Sequence, residues 1–181
     1  MKVENVSAQQ AALFVGATHR FNITYEDLNT TASTSLTQVL AAVAARRGMR
    51  FCGFNLVTPF DGTSTTNLTL ALGVDRASGT DDADAFLAAT ELHNDATEIV
   101  IGPVPIADVD ASSMDTTFGQ AELDVLSSCR TTANALLKLQ PRAYSDAAEI
   151  EAVWTSTAAN LTDLTSGEID LYFAIADLSK R

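Results

Sequence analysis

Cysteine, histidine, tryptophan and basic residues are all scarce in this chain of 181 residues, and each shortage removes a class of function. Two cysteines, Cys52 and Cys129, make neither a disulfide framework nor a CxxC metal knuckle. Two histidines, His19 and His93, leave little scope for His-based metal or triad chemistry, and no GxSxG nucleophile elbow occurs. Lys and Arg number 11 against 23 Asp and Glu, for a net charge of −12. A surface that acidic repels phosphate backbones and anionic membranes, so neither nucleic acid nor membrane is an expected partner. No apolar run reaches the roughly 18 residues of a membrane helix. Met1–Asn5 has no apolar h-region or cleavage pattern, so no secretory signal is expected.

What is abundant is apolar surface and threonine. Hydrophobic residues make up 46% of the chain, enough for a sizeable core. Thr occurs 22 times and Ala 29 times. Thr packs well on half-buried strands because its branched Cβ suits a pleated surface, whereas Ala serves helices and tight cores alike.

The order of the patterns favours strands. Residues 1–19 read as an N-terminal arm in which Ser7–Val15 has one or two turns of helical spacing, and residues 20–181 read as one domain. Phe21, Ile23 and Tyr25 alternate with polar residues. Leu36–Ala44 suits a strand or a helix. Arg46-Arg47-Gly48 suits a turn, and Met49–Thr58, apolar on both faces, suits a central strand. Asp61-Gly62 marks the next turn, within a loop spanning 59–66, and Leu68, Leu70 and Leu72 share one strand face. Residues 82–92 have Phe86, Leu87 and Leu92 near helical spacing, with Thr80 or Asp81 as cap and acids in the first turn; one short helix is expected there. Glu98–Ile101 and Val104–Ile106 surround Gly102-Pro103, so any strand there is short or at an edge. Residues 107–120 read as a polar loop. Residues 121–140 fit helix or strand, with a strand near 133–140 preferred. Ala148–Ser156 and Glu168–Leu178 alternate as strands, with a turn around 159–165. About eight strands without strand–helix alternation predict an all-β fold, an antiparallel β-sandwich of jelly-roll type with one short helix and an N-terminal arm.

Candidate chemistry is thin. Asp75, Asp81, Asp82, Asp84 and Glu91 offer hard oxygen donors, but without EF-hand spacing, and read first as helix caps and a solvated loop. Asp108 and Asp110 allow the same argument. Glu149, Glu151, Glu168 and Asp170 are expected on solvated strand faces. Cys52 reads as a small core residue and Cys129 as a loop thiol. His93 reads as a helix C-cap and His19 as a surface residue. Arg46, Arg47 and Arg50 form a basic cluster too small for a nucleic-acid stripe. Trp154 reads as core rather than as a sugar-stacking platform. No residue is assigned a catalytic, cofactor-binding or metal-ligating role.

Three stretches carry a resemblance. Phe21-Asn22-Ile23-Thr24-Tyr25-Glu26-Asp27-Leu28, with the Thr-rich turn after it, resembles the start of virion structural proteins of tailed bacteriophages. Asp82-Ala83-Asp84-Ala85-Phe86-Leu87-Ala88-Ala89-Thr90 is similar to their "DADGFLAAT" region, and residues 159–172 (ANLTDLTSGEIDLY) to their "ANLxxLTAGEVDIY" ending. The likeness spans about residues 20–178, and its motifs are structural. It implies a β-sandwich particle component without enzymatic activity or cofactor. The expected role is a capsid decoration or cement protein that binds the major capsid protein, forms a homotrimer and bridges capsomers. It would be made in the host bacterial cytoplasm and sit on the outer capsid surface. Residues 1–19, the loop 107–120 and the turn Arg46–Arg50 are the expected contact segments. Other readings are a tail or head–tail connector protein, a carbohydrate-binding module at a tail tip, and a hydrolase using an acidic pair.

Overall fold

Four antiparallel pairings generate the topology of this computed structural model, which describes residues 1–14, 16–30, 32–94, 102–105 and 142–177. Strand β2 (His19–Thr24) pairs with β9 (Leu164–Asp177), β3 (Ser35–Val43) with β8 (Ala148–Thr157), β4 (Arg47–Gly62) with β7 (Gly102–Pro105), and β5 (Asn67–Arg76) with β6 (Asp82–Asn94). The chain therefore runs out and back as one long two-stranded ribbon. Rolling the ribbon brings β4 beside β9 and β5 beside β8. The result is a sheet β2-β9-β4-β7 and a second sheet β3-β8-β5-β6, the jelly-roll arrangement, with β1 (Lys2–Asn5) added outside β2.

The inner faces of both sheets supply the core, as alternation demands. On β8, Ala148, Ile150, Ala152, Trp154 and Ser156 are buried while their neighbours are half-buried or exposed. Phe60 meets Trp154 at 5.7 Å between ring centroids, and Phe86 meets Phe173 edge-on at 5.4 Å, so aromatics bridge the two layers. Leu36–Ala44, open between helix and strand in the sequence, is β3. Strand β4 is central and apolar on both faces, as expected: Phe51 faces the core, and Cys52 faces a second, smaller cluster on the outer side of the sheet.

Three expectations need correction. The helix expected over residues 82–92 is strand β6. Its ladder with β5 slips three times, so the period-2 pattern breaks and Ala85, Phe86 and Leu87 are buried in succession. That irregular spacing imitates a helical face. The helices lie elsewhere: α1 (Ala8–Leu13) in the arm and α2 (Tyr25–Leu28) after β2. The turn expected at Asp61-Gly62 comes later, because β4 continues to Gly62 through repeated register shifts against β9. The loop beyond it is held by Asp163, whose Oδ2 accepts from the Ser64 and Thr65 amides at 2.6 and 3.0 Å. Third, Asp170 is buried rather than solvated, because the arm covers its side of β9.

Gly167 permits the backbone conformation that β9 adopts there. Its φ is +138°, and a Cβ at this position would lie 2.1 Å from the Phe60 ring. Expectations for residues 98–101, the loop 107–120 with Asp108 and Asp110, Cys129 and the strand near 133–140 fall outside the described residues.

Candidate functional site

The arm is built onto the domain's own sheet. In α1 the Gln10 amide donates to Ser7 Oγ at 3.3 Å and the Ser7 amide to Gln10 Oε1 at 3.1 Å, a reciprocal cap. So short a helix is marginal alone, and packing makes up the difference. Phe14 stacks on Tyr172, and Ala17, Cys52 and Val6 complete the apolar contact. Beneath this lid lies a polar network. Gln10 Nε2 donates to the Tyr172 hydroxyl at 3.1 Å, and that hydroxyl donates to Asp170 Oδ2 at 3.4 Å. Asn22 Nδ2 donates to both Glu168 and Asp170, at 2.8 and 3.0 Å. Arg20 lies 3.7 Å from Asp170 and pairs with Glu4 of β1. Burial first, then the adjacent Asp170 charge, pushes the Tyr172 phenol above its ordinary value. Glu168, Asp170 and Tyr172 alternate opposite the core face of β9, the same pattern that a solvated sheet face gives, so the sequence carried no signal that separates this network from ordinary solvated residues.

The acidic constellation expected around Asp75–Glu91 is dispersed. Asp81 accepts from the Arg76 amide at 3.0 Å, Asp82 pairs with Arg142 at 3.2 Å, and Glu91 accepts from Asn67 and Asn94. Asp84 is exposed on β6. Asp75 instead meets Glu149 and Glu151 of β8, their carboxylate oxygens all within 4.8 Å of one another. Burial, and then Asp75, Glu149 and Asp81, push the Glu151 carboxyl above its ordinary value. An open cavity of about 590 Å³ adjoins the trio, walled by Asp75, Glu149 and several alanines. By donor type the trio suits a hard cation. On a wet sheet face it is also plain like-charge crowding, screened by salt.

The remaining candidates resolve individually. Cys52 is a free buried thiol that burial pushes above its ordinary value, so it is a poor nucleophile at neutral pH. Trp154 is fully buried, which leaves it no face for a sugar. His93 caps no helix; on β6 its Nε2 donates to the Thr65 carbonyl at 3.0 Å. His19 opens β2, its Nδ1 2.7 Å from Thr18 Oγ1. The turn expected at Arg46-Arg47-Gly48 is at residues 45–46, and Arg47 and Gly48 open β4; Arg46 and Arg47 are exposed, Arg50 is half-buried, and Arg46 adopts φ +64° while its amide donates to the Tyr144 carbonyl at 2.8 Å. No helix among the described residues is long and apolar enough to cross a membrane. Compared with known proteins, the chain matches no family model, no curated protein and no solved structure.

Proposed function

We propose that this chain is a non-enzymatic structural protein of a tailed-bacteriophage virion, a decoration or cement protein on the outer surface of the capsid. The observation that carries the reading is where the three resembling stretches go. Phe21, Ile23 and Leu28 of the first, Ala85, Phe86 and Leu87 of the second, and Leu161, Leu164, Ile169 and Leu171 of the third are all core residues of one sandwich. The likeness thus falls on the residues that make the fold, which is what a shared building block requires.

The physics of the surface supports the same role. With a net charge of −12 the protein can coat a shell without binding the packaged genome. Binding to the major capsid protein would draw on distributed contact, of order 800 Å² per partner. Many such contacts on one lattice act multivalently, and copies associating as trimers would bridge adjacent capsomers. Exposed Arg46, in the β3–β4 turn, and exposed Arg47, at the start of β4, offer positive charge to an acidic neighbour.

The test is assembly with and without the chain. Shells lacking it are expected to lose their genome at lower temperature, and added purified protein to bind them and restore the loss. Protein that stays unbound and changes nothing overturns the reading. A second reading, a hydrolase working through an acidic pair, rests on the trio of Asp75, Glu149 and Glu151 beside the open cavity. Turnover of a glycoside substrate abolished by Glu149→Gln would favour it.

A further inference from the structure

Sheet edges present unpaired backbone groups, and proteins guard them with charge, proline, bulges or brevity. Among the described residues four strands end the two sheets: β1, β7, β3 and β6. Three are guarded. β1 has four residues, with Lys2 and Glu4 among them. β7 has four, with Pro103 and Pro105 unable to donate. β6 carries Asp82, Asp84 and Glu91, and its ladder slips three times.

β3 is different. It runs nine residues, Ser35–Val43, without a proline or a charge. No residue between Asp27 and Arg46 is charged, in a chain that is otherwise strongly acidic. Its ladder with β8 is regular from Ser35 to Val39 and slips only after that. The outward side chains of the regular part, Ser35, Thr37 and Val39, are all exposed, Val39 to 43%.

We infer that the β3 edge is a two-fold contact between copies of this chain, each β3 pairing antiparallel with the other across Ser35–Val39. The occupant follows from charge. Two molecules of net charge −12 repel each other over most of their surfaces, and β3 is the long, proline-free edge where they meet without a like charge in the contact. An axis through Thr37 sets the two Thr37 side chains opposite each other and each Val39 opposite Ser35, pairings that favour an antiparallel ladder. The two four-stranded sheets become one of eight strands. Such a contact uses the same edge of both copies, so it closes on itself. The far ends of the joined sheet are β6 strands, guarded by acids and slips, which stops further growth. The inference does not depend on the virion reading and is separate from any three-fold contact.

The experiment is the solution mass of the full chain by sedimentation, with hydrogen exchange on the same samples. An even number of copies is expected, and those amides of Ser35–Val39 that point away from β8 should lose protection on dilution. Thr37→Lys places two like charges face to face on an exposed site and should halve the mass while circular dichroism stays unchanged. A mass of one or three chains overturns the inference, as does an unchanged mass in folded Thr37→Lys. Should that variant misfold, exchange in the native chain decides. Protection of those outward amides that dilution does not alter means the edge is covered within one chain, and the inference fails.

Discussion

The Phe14 ring lies on the Tyr172 ring, centroids 3.9 Å apart and planes 11° from parallel. This contact joins the arm to the central strand of the sheet and makes the described residues of the arm part of the fold. It also closes the polar network of Asp170, Asn22 and Arg20 from above.

Phe14→Ala should therefore cost about 3 kcal/mol of arm docking, the usual loss for a buried phenylalanine. The expected signature is local: faster amide exchange in α1 and β1, and early proteolytic cleavage between residues 6 and 18, with β4, β8 and β9 still protected. Exchange rates unchanged in α1 would show that the stack does not hold the arm.

Asp146 ties the β5–β6 loop to the segment that enters β8. It accepts from Arg76 Nη2 at 2.7 Å and from the Ser78 amide and hydroxyl at 3.0 and 3.1 Å. Arg76 first, then the Ser78 amide and hydroxyl against some desolvation, hold its carboxyl at about 2 instead of 3.8. A carboxyl depressed in the folded state stabilises the protein above its unfolded value, and that contribution disappears as pH falls toward the folded one. Asp146→Asn should lower stability at neutral pH and flatten the acid limb between 3.8 and about 2. Titration of the Asp146 carboxyl carbon by NMR checks the midpoint directly.

Glu151 works in the opposite direction. Its raised value, from burial and the charges of Asp75 and Glu149, means that the ionised form is the less favoured one in the fold. Its contribution is most favourable below its unfolded value and is lost as pH rises through the folded one. Glu151→Gln should raise the melting temperature at neutral pH, and the gain should vanish in acid. Thermal melts of both proteins across that range measure it.

Gly167 should tolerate no side chain. Alanine there combines a left-handed φ with a Cβ driven into the Phe60 ring, which itself packs on Trp154. A loss of about 2–4 kcal/mol follows from strain and overpacking together. Chemical denaturation of Gly167→Ala gives the figure.

The strands that alternate cleanly were legible in the sequence. Leu68, Leu70 and Leu72 of β5 and Ile169, Leu171 and Phe173 of β9 face the core as their period requires. What hid β6 was its slipped ladder, since the register shifts against β5 go with consecutive buried residues and erase the period that identifies a strand. What hid the role of Asp170 was distance along the chain. Tyr172 is its neighbour on β9, but its partners Asn22 and Arg20 come from the other end of the chain, and only the pairing of β2 with β9 brings them to it. The Asp75 trio was split for the same reason, because the β5–β8 register that sets Asp75 opposite Glu149 is not written in either strand alone.

Imaging purified virions with a label fused to this chain tests the central claim most directly. The account predicts label repeated at regular lattice positions over the outside of the head. Label confined to the tail, or virions that carry none, would contradict it.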